Sequence, residues 1–193
     1  MKTLFFISSL LLILNVDSDE FVDGNGAIWT SKNLTVSKFR NGDEISHAKS
    51  NKEWMEAFDN QTPAYCYFDN DESNNEKYGK LYNFYAVRDS RGLAPEGWHV
   101  ATDEEWKILI DSLGGNQKAN YKLANNGFKF VPGGFRDVEG EFSGGGWSAL
   151  FWTATVDFSF MSFNRQLFSD KESSISKGSS HHAMGMYVRC VKD

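Results

Sequence analysis

Two thiols, four imidazoles and one acidic loop are the groups in this chain whose types could support chemistry. Cys66 and Cys190 are its only cysteines, and no Cys-x-x-Cys spacing makes either a redox or zinc motif. An even count in an exported chain favours one intramolecular disulfide. Tyr65–Phe68 and Tyr187–Val191 both read as short strands. Met186, Val188 and Cys190 share one period-2 face, which two apolar members mark as buried. The spacing therefore predicts a Cys66–Cys190 bridge, with Cα atoms about 5–6 Å apart. Closing a loop of about 125 residues would contribute roughly 4–5 kcal/mol.

Asp69, Asp71 and Glu76, with Ser73, place several oxygens in one short loop, which is the donor chemistry of a calcium site. The loop lacks the glycine and the twelfth-position glutamate of an EF-hand. A solvated acidic turn is the competing reading, and no resident cofactor is assigned. His47, His99, His181 and His182 offer no His-x3-His pair. Adjacent His181 and His182 point to opposite faces of an extended segment and read as surface groups. His99, beside Trp98, reads as packed or bonded to the backbone.

The chain has 193 residues, 20 basic against 26 acidic, for a net charge of −6. That balance supplies no basic face for nucleic acid. With 6 Trp, 7 Tyr and 16 Phe, it has too many aromatics to be disordered. Met1-Lys2 and the apolar run from Leu4 to Leu14 match a secretory signal peptide. The run is shorter than the roughly 20 apolar residues of a membrane span. Residues 1–18 are thus expected to be removed on export, leaving 19–193 as one domain in the periplasm, outside the cell or on its surface.

The elements that would position these groups follow. Ser50-Asn51-Lys52-Glu53 resembles a capping box ahead of Trp54, Ala57 and Phe58. Thr102 and Glu105 form a second box, followed by Trp106, Leu109, Ile110 and Leu113 on one helical stripe. Gly114 offers the left-handed stop. Residues 81–87 fit helix or strand, with helix preferred. Beyond residue 128 the pattern is β-like, including Phe128–Val131, Trp147–Thr155, Asn164–Phe168 and Met186–Val191. Helices early and short strands late predict an α+β domain with long ordered loops. Most aromatics of the 147–163 region should be core.

Several segments then read together: Ala64-Tyr65-Cys66-Tyr67-Phe68-Asp69-Asn70-Asp71-Glu72, Tyr78-Gly79-Lys80-Leu81-Tyr82-Asn83-Phe84-Tyr85-Ala86-Val87 and Gly97-Trp98-His99-Val100-Ala101-Thr102-Asp103-Glu104-Glu105-Trp106. Pro132-Gly133-Gly134-Phe135-Arg136-Asp137, Phe151-Trp152-Thr153-Ala154-Thr155 and Val188-Arg189-Cys190-Val191-Lys192-Asp193 complete the series. Over residues 22–193 the chain closely resembles the Fibrobacter succinogenes major paralogous domain. The resemblance implies a C-type-lectin-like fold, related to formylglycine-generating enzymes, and an exported bacterial protein. Ala101 stands where the family usually has proline. Lectin sugar motifs (Glu-Pro-Asn, Gln-Pro-Asp, Trp-Asn-Asp) are absent. So are the paired C-terminal cysteines of the copper oxidases.

In lectin-like folds the sector around Phe158-Ser159-Phe160-Met161-Ser162-Phe163 carries ligand loops, which makes Phe158, Phe160 and Phe163 the candidate binding edge. The expected function is an exported, noncatalytic recognition or surface domain for a glycan or protein ligand. The alternatives are a metal-dependent oxidase of the formylglycine-generating type and a structural assembly protein of the cell envelope.

Overall fold

A computed structural model describes residues 19–193, and the expected signal peptide lies outside the described residues. The chain begins with β1 (Glu20–Val22), β2 (Ile28–Thr30) and β3 (Ser46–His47). Helix α1 (Asn51–Asp59) starts where the sequence places it, with Ser50 Oγ accepting from Glu53 N. The return bond differs, because Glu53 Oε2 accepts from Lys49 N (2.5 Å) rather than from the cap residue. After β4 (Ala64–Cys66) the acidic segment forms two short 3-10 turns, at 68–70 and 72–74, and then α2 (Asn75–Tyr78).

Residues 81–87 divide between the two readings. Leu81–Tyr82 is strand β5 and Phe84–Val87 is helix α3. Asn83 makes the switch, its Oδ1 accepting from Ala64 N across the sheet and from Ala86 N in the new helix. Strand β6 (Trp98–Val100) leads into α4 (Asp103–Ser112), whose Thr102–Glu105 capping box is complete. Trp106, Leu109 and Ile110 are buried on its inner stripe. Helix α5 (Asn116–Asn125) carries none of these signals, since Gly115 at its N-cap makes no side-chain bond and its first turn has no acid. It is held instead by burying Ala119 and Leu123.

The second half is mostly sheet: β7 (Gly133–Arg136), β8 (Phe142–Gly145), β9 (Ser148–Phe158), β10 (Met161–Phe168), β11 (Ser176–His181) and β12 (Cys190–Lys192). The α+β expectation holds. Phe128 and Phe130, expected in a strand, are buried as core without joining one. Three sheets form, in the orders β1-β2-β12-β6, β11-β10-β9-β7-β8 and β3-β4-β5. Antiparallel pairing of β12 with β2 and β6 ties the last strand to the first segment and to the start of α4.

Two hydrophobic clusters fill the interior. One gathers Trp29, Trp106, Phe128, Phe151 and Tyr187. The other gathers Tyr65, Tyr82, Phe84, Trp152 and Val188. The C-terminal segment lies between them and alternates, with Tyr187 and Val191 entering the first and Met186, Val188 and Cys190 the second. The expected buried face is therefore present. The expected disulfide is not formed: Cys66 and Cys190 are both free and fully buried. Cys66 faces the first cluster and Cys190 the second, and their strands pair with different neighbours. Strand alternation places successive side chains on opposite faces, so the parity that buries Cys190 also turns it away from Cys66.

Candidate functional site

Strands β9 and β10 form a long hairpin whose tip is rich in exposed apolar groups. Phe158 is 61% exposed, Phe160 50% and Val156 49%. Ser159 takes a positive φ of 40° at the turn. Irregular register between Met161, Ser162 and Asn164 lets the tip diverge from the regular ladder. The core does not absorb these side chains, although Phe151 and Trp152, on the same strand β9, are completely buried. Trp147 at the opposite end of that strand, expected in the core, is 53% exposed and leans on Phe168.

Groups distant in sequence support the tip. The Phe160 ring stacks on His181 with centroids 6.3 Å apart, and Phe58 from α1 meets His181 edge-on at 5.3 Å. Beneath them His182 is fully buried rather than a surface group. It stacks on Phe84 at 4.5 Å and lies 2.9 Å from Ser162 Oγ through Nε2. Burial, followed by the nearby charge of Arg88, pushes the His182 pKa down to about 4, so the imidazole is neutral. Ser162 is as buried as its partner, and the pair braces the hairpin base.

Of the three expected edge residues, Phe158 and Phe160 share the tip and Phe163 does not. Phe163 lies under the Lys177 ammonium, 3.7 Å from its ring centroid, and Lys177 is itself held by Asp103 at 2.7 Å. Val156, Phe58 and His181 complete the surface. Sequence reading missed Phe58 and His181 because they come from α1 and β11, and only tertiary packing brings them beneath Phe160.

The expected calcium ligands are not gathered into a site. Asp71 turns back to accept from Ser73 N at 2.9 Å, and Asp69 occupies a left-handed position at φ 57°. Among the described residues no group of three or more histidine, cysteine or acidic side chains could hold a metal ion. Asp69 and Asp71 instead belong to the tight, solvated 3-10 turns, and Glu76 lies exposed on α2. His99 also differs from expectation, since both its ring nitrogens face carboxylates, with Nδ1 2.7 Å from Asp193 and Nε2 2.7 Å from Glu105.

Among the described residues no helix is long and apolar enough to cross a membrane. No curated protein and no solved structure matches the chain. A family model does match, that of the Fibrobacter succinogenes major domain, over residues 22–192.

Proposed function

The chain belongs to the Fibrobacter succinogenes major domain family, and on that premise we propose that it is an exported, noncatalytic recognition domain that docks a partner through the β9–β10 tip. The observation that carries this reading is the exposure of Phe158 and Phe160 side by side on one hairpin. Exposed large apolar side chains gathered at one hairpin tip are a feature of interaction surfaces, and aromatic side chains commonly anchor them. Val156, Phe158 and Phe160 alternate with the exposed Asp157 and Ser159, and the apolar members would serve as the anchors for a protein surface.

The noncatalytic part of the proposal draws support from the thiols. Burial is the first cause that pushes each of Cys66 and Cys190 up to about 12, whereas an oxidase cysteine acts as an accessible thiolate. The finer architectural reading, a C-type-lectin-like fold, belongs to the same proposal. The return of β12 to pair with β2, beside long irregular connections, is consistent with it.

The test compares the domain with a Phe158→Ser/Phe160→Ser variant on protein and glycan arrays, alongside thermal melts. A protein ligand bound by the parent and lost by an equally stable variant is the expected result. A ligand retained by the variant, or no ligand on either array, would overturn the reading. Light scattering separates self-association through the tip from binding to a different protein.

A further inference from the structure

Strand β11 is the outermost strand of the five-stranded sheet. At six residues it is the longest strand that ends a sheet among the described residues. An uncovered edge is a template for pairing with another chain, and folded proteins commonly shorten, bulge or charge such edges. β11 has none of these guards in place. It pairs with β10 in unbroken register from Met161↔His181 to Gln166↔Ser176. Its one lysine, Lys177, is drawn onto the sheet face, where the ammonium meets Asp103 Oδ2 at 2.7 Å and lies 3.7 Å from the Phe163 ring centroid.

One hydrogen bond sets the direction of the backbone groups. His182 N donates to Phe160 O (2.9 Å), which continues the β10–β11 register. Bonded pairs alternate along an antiparallel ladder, so Gly178 and Ser180 turn their N–H and C=O toward β10. Ile175, Lys177, Ser179 and His181 turn theirs outward. The ends of that row are already used. Ile175 N donates to Asn116 O (3.3 Å), and His181 O accepts from Met184 N (3.0 Å). Between them the outward N–H and C=O of Lys177 and Ser179 have no partner among the described residues.

This bracketing selects the occupant. A second copy of β11 could pair its Ser179 with Lys177 and its Lys177 with Ser179. Its His181 would then face Ile175, whose outer side Asn116 already fills. Pairing Ser179 on Ser179 instead brings Lys177 of each copy against the other's His181–Met184 turn. A short extended peptide meets neither obstacle, because its ends can leave the sheet on either side of Lys177 and Ser179. The row also ends beside the aromatic tip, where His181 stacks on Phe160. Strand side chains alternate, so the peptide residue two positions beyond the one paired with Ser179 shares the face of His181.

We propose that a partner protein engages this domain by adding an extended peptide strand to β11, its backbone pairing with Lys177 and Ser179 and an apolar side chain lying on the Phe160–His181 stack. The proposal rests on the tip reading and names the form of the partner, an extended segment rather than a folded patch.

Random peptides displayed on phage are the probes, and those retained by the whole domain are synthesised. Amide hydrogen exchange followed by NMR reads the pairing directly. Saturating peptide should slow exchange at Lys177 and Ser179 at least about tenfold and leave Gly178 and Ser180, already bonded to β10, unchanged. N-methylation of alternate peptide amides should weaken binding at least about tenfold in one frame and not in the other. Ser179→Pro removes an N–H that faces away from β10, which an edge strand tolerates, and should abolish binding with the melting curve retained. Phe158→Ser/Phe160→Ser should weaken binding about tenfold while both amides stay protected at saturation.

No retained peptide, peptides that leave Lys177 and Ser179 exchanging freely, or full binding by folded Ser179→Pro overturns strand addition. A peptide that leaves those amides unprotected but is lost by the tip variant upholds the tip reading alone. Binding that requires Ser179 and is indifferent to Phe158 and Phe160 upholds strand addition and overturns the tip as anchor. A dimer in light scattering that protects the same amides without peptide assigns the edge to a second copy and overturns the peptide as its occupant.

Discussion

His99 Nε2 lies 2.7 Å from Glu105 Oε1, and the other oxygen of the same carboxylate closes the cap of α4 by accepting from Thr102 N at 2.7 Å and Thr102 Oγ1 at 2.8 Å. One side chain thus joins a helix start to β6. Through His99 Nδ1 the chain of contacts reaches Asp193, immediately after β12.

This arrangement sets a pH dependence. Partial burial would depress the His99 pKa, but hydrogen bonds and charge from Asp193 and Glu105 outweigh it and raise the value above 6.5. Histidine is then favoured as imidazolium in the folded state. The stabilisation is fully present below the unfolded pKa and is lost as pH rises through the raised folded pKa. Because the side chain is 40% exposed, solvent screening limits the effect to about 1 kcal/mol or less. Melting temperatures between about pH 6 and 9 should fall more steeply for the parent than for His99→Gln. Parallel curves would refute the linkage.

The cap itself carries a separate cost. Thr102→Ala removes the oxygen that accepts from Glu105 N and should lower stability by about 1 kcal/mol. Chemical denaturation at constant pH measures it. A change below about 0.3 kcal/mol would show that tertiary packing alone holds the helix start.

The two thiols should be inert in the native state. Burial raises both to about 12, only partly opposed by Arg136 near Cys66 and by Arg189 and Arg40 near Cys190. A disulfide-forming chromogenic reagent at neutral pH should find no reactive thiol before unfolding and two after it. Reducing agent should leave the melting temperature unchanged. Rapid native labelling, or a melt lowered by reduction, contradicts the free, buried pair.

Arg189 is the strongest candidate for a structural keystone. It is almost completely buried, and its Nε donates to Asn33 while one Nη donates to the carbonyls of both Thr30 and Phe128. The guanidinium rests 4.2 Å from the Phe128 ring centroid. A lysine ammonium cannot reproduce this planar fork. Arg189→Lys should therefore cost about 2–4 kcal/mol by leaving buried acceptors unpaired, read from the midpoint of urea unfolding. A loss under about 1 kcal/mol would mean that water replaces the fork at little cost.

Short-range patterns in the sequence were sufficient to determine several features of this protein. The α4 cap needs only residues three apart, and the stripe of Trp106, Leu109 and Ile110 follows from helical periodicity. The buried face of Met186, Val188 and Cys190 follows from strand alternation. The ordered motifs over most of the chain were enough to identify the family. Tertiary structure decided the rest, because those choices depend on partners far along the chain. Trp152 Nε1 donates to Tyr82 O across 70 positions and Met186 pairs with the same residue, so Tyr82 is strand although its local pattern also fits helix. Cys66 enters one hydrophobic cluster and Cys190 the other because strand pairing sets which cluster each face enters. His99 finds Asp193 across 94 positions, and Phe58 and His181 meet beneath Phe160. Local bonds are formed by residues already within reach, whereas these contacts exist only after the sheets have assembled.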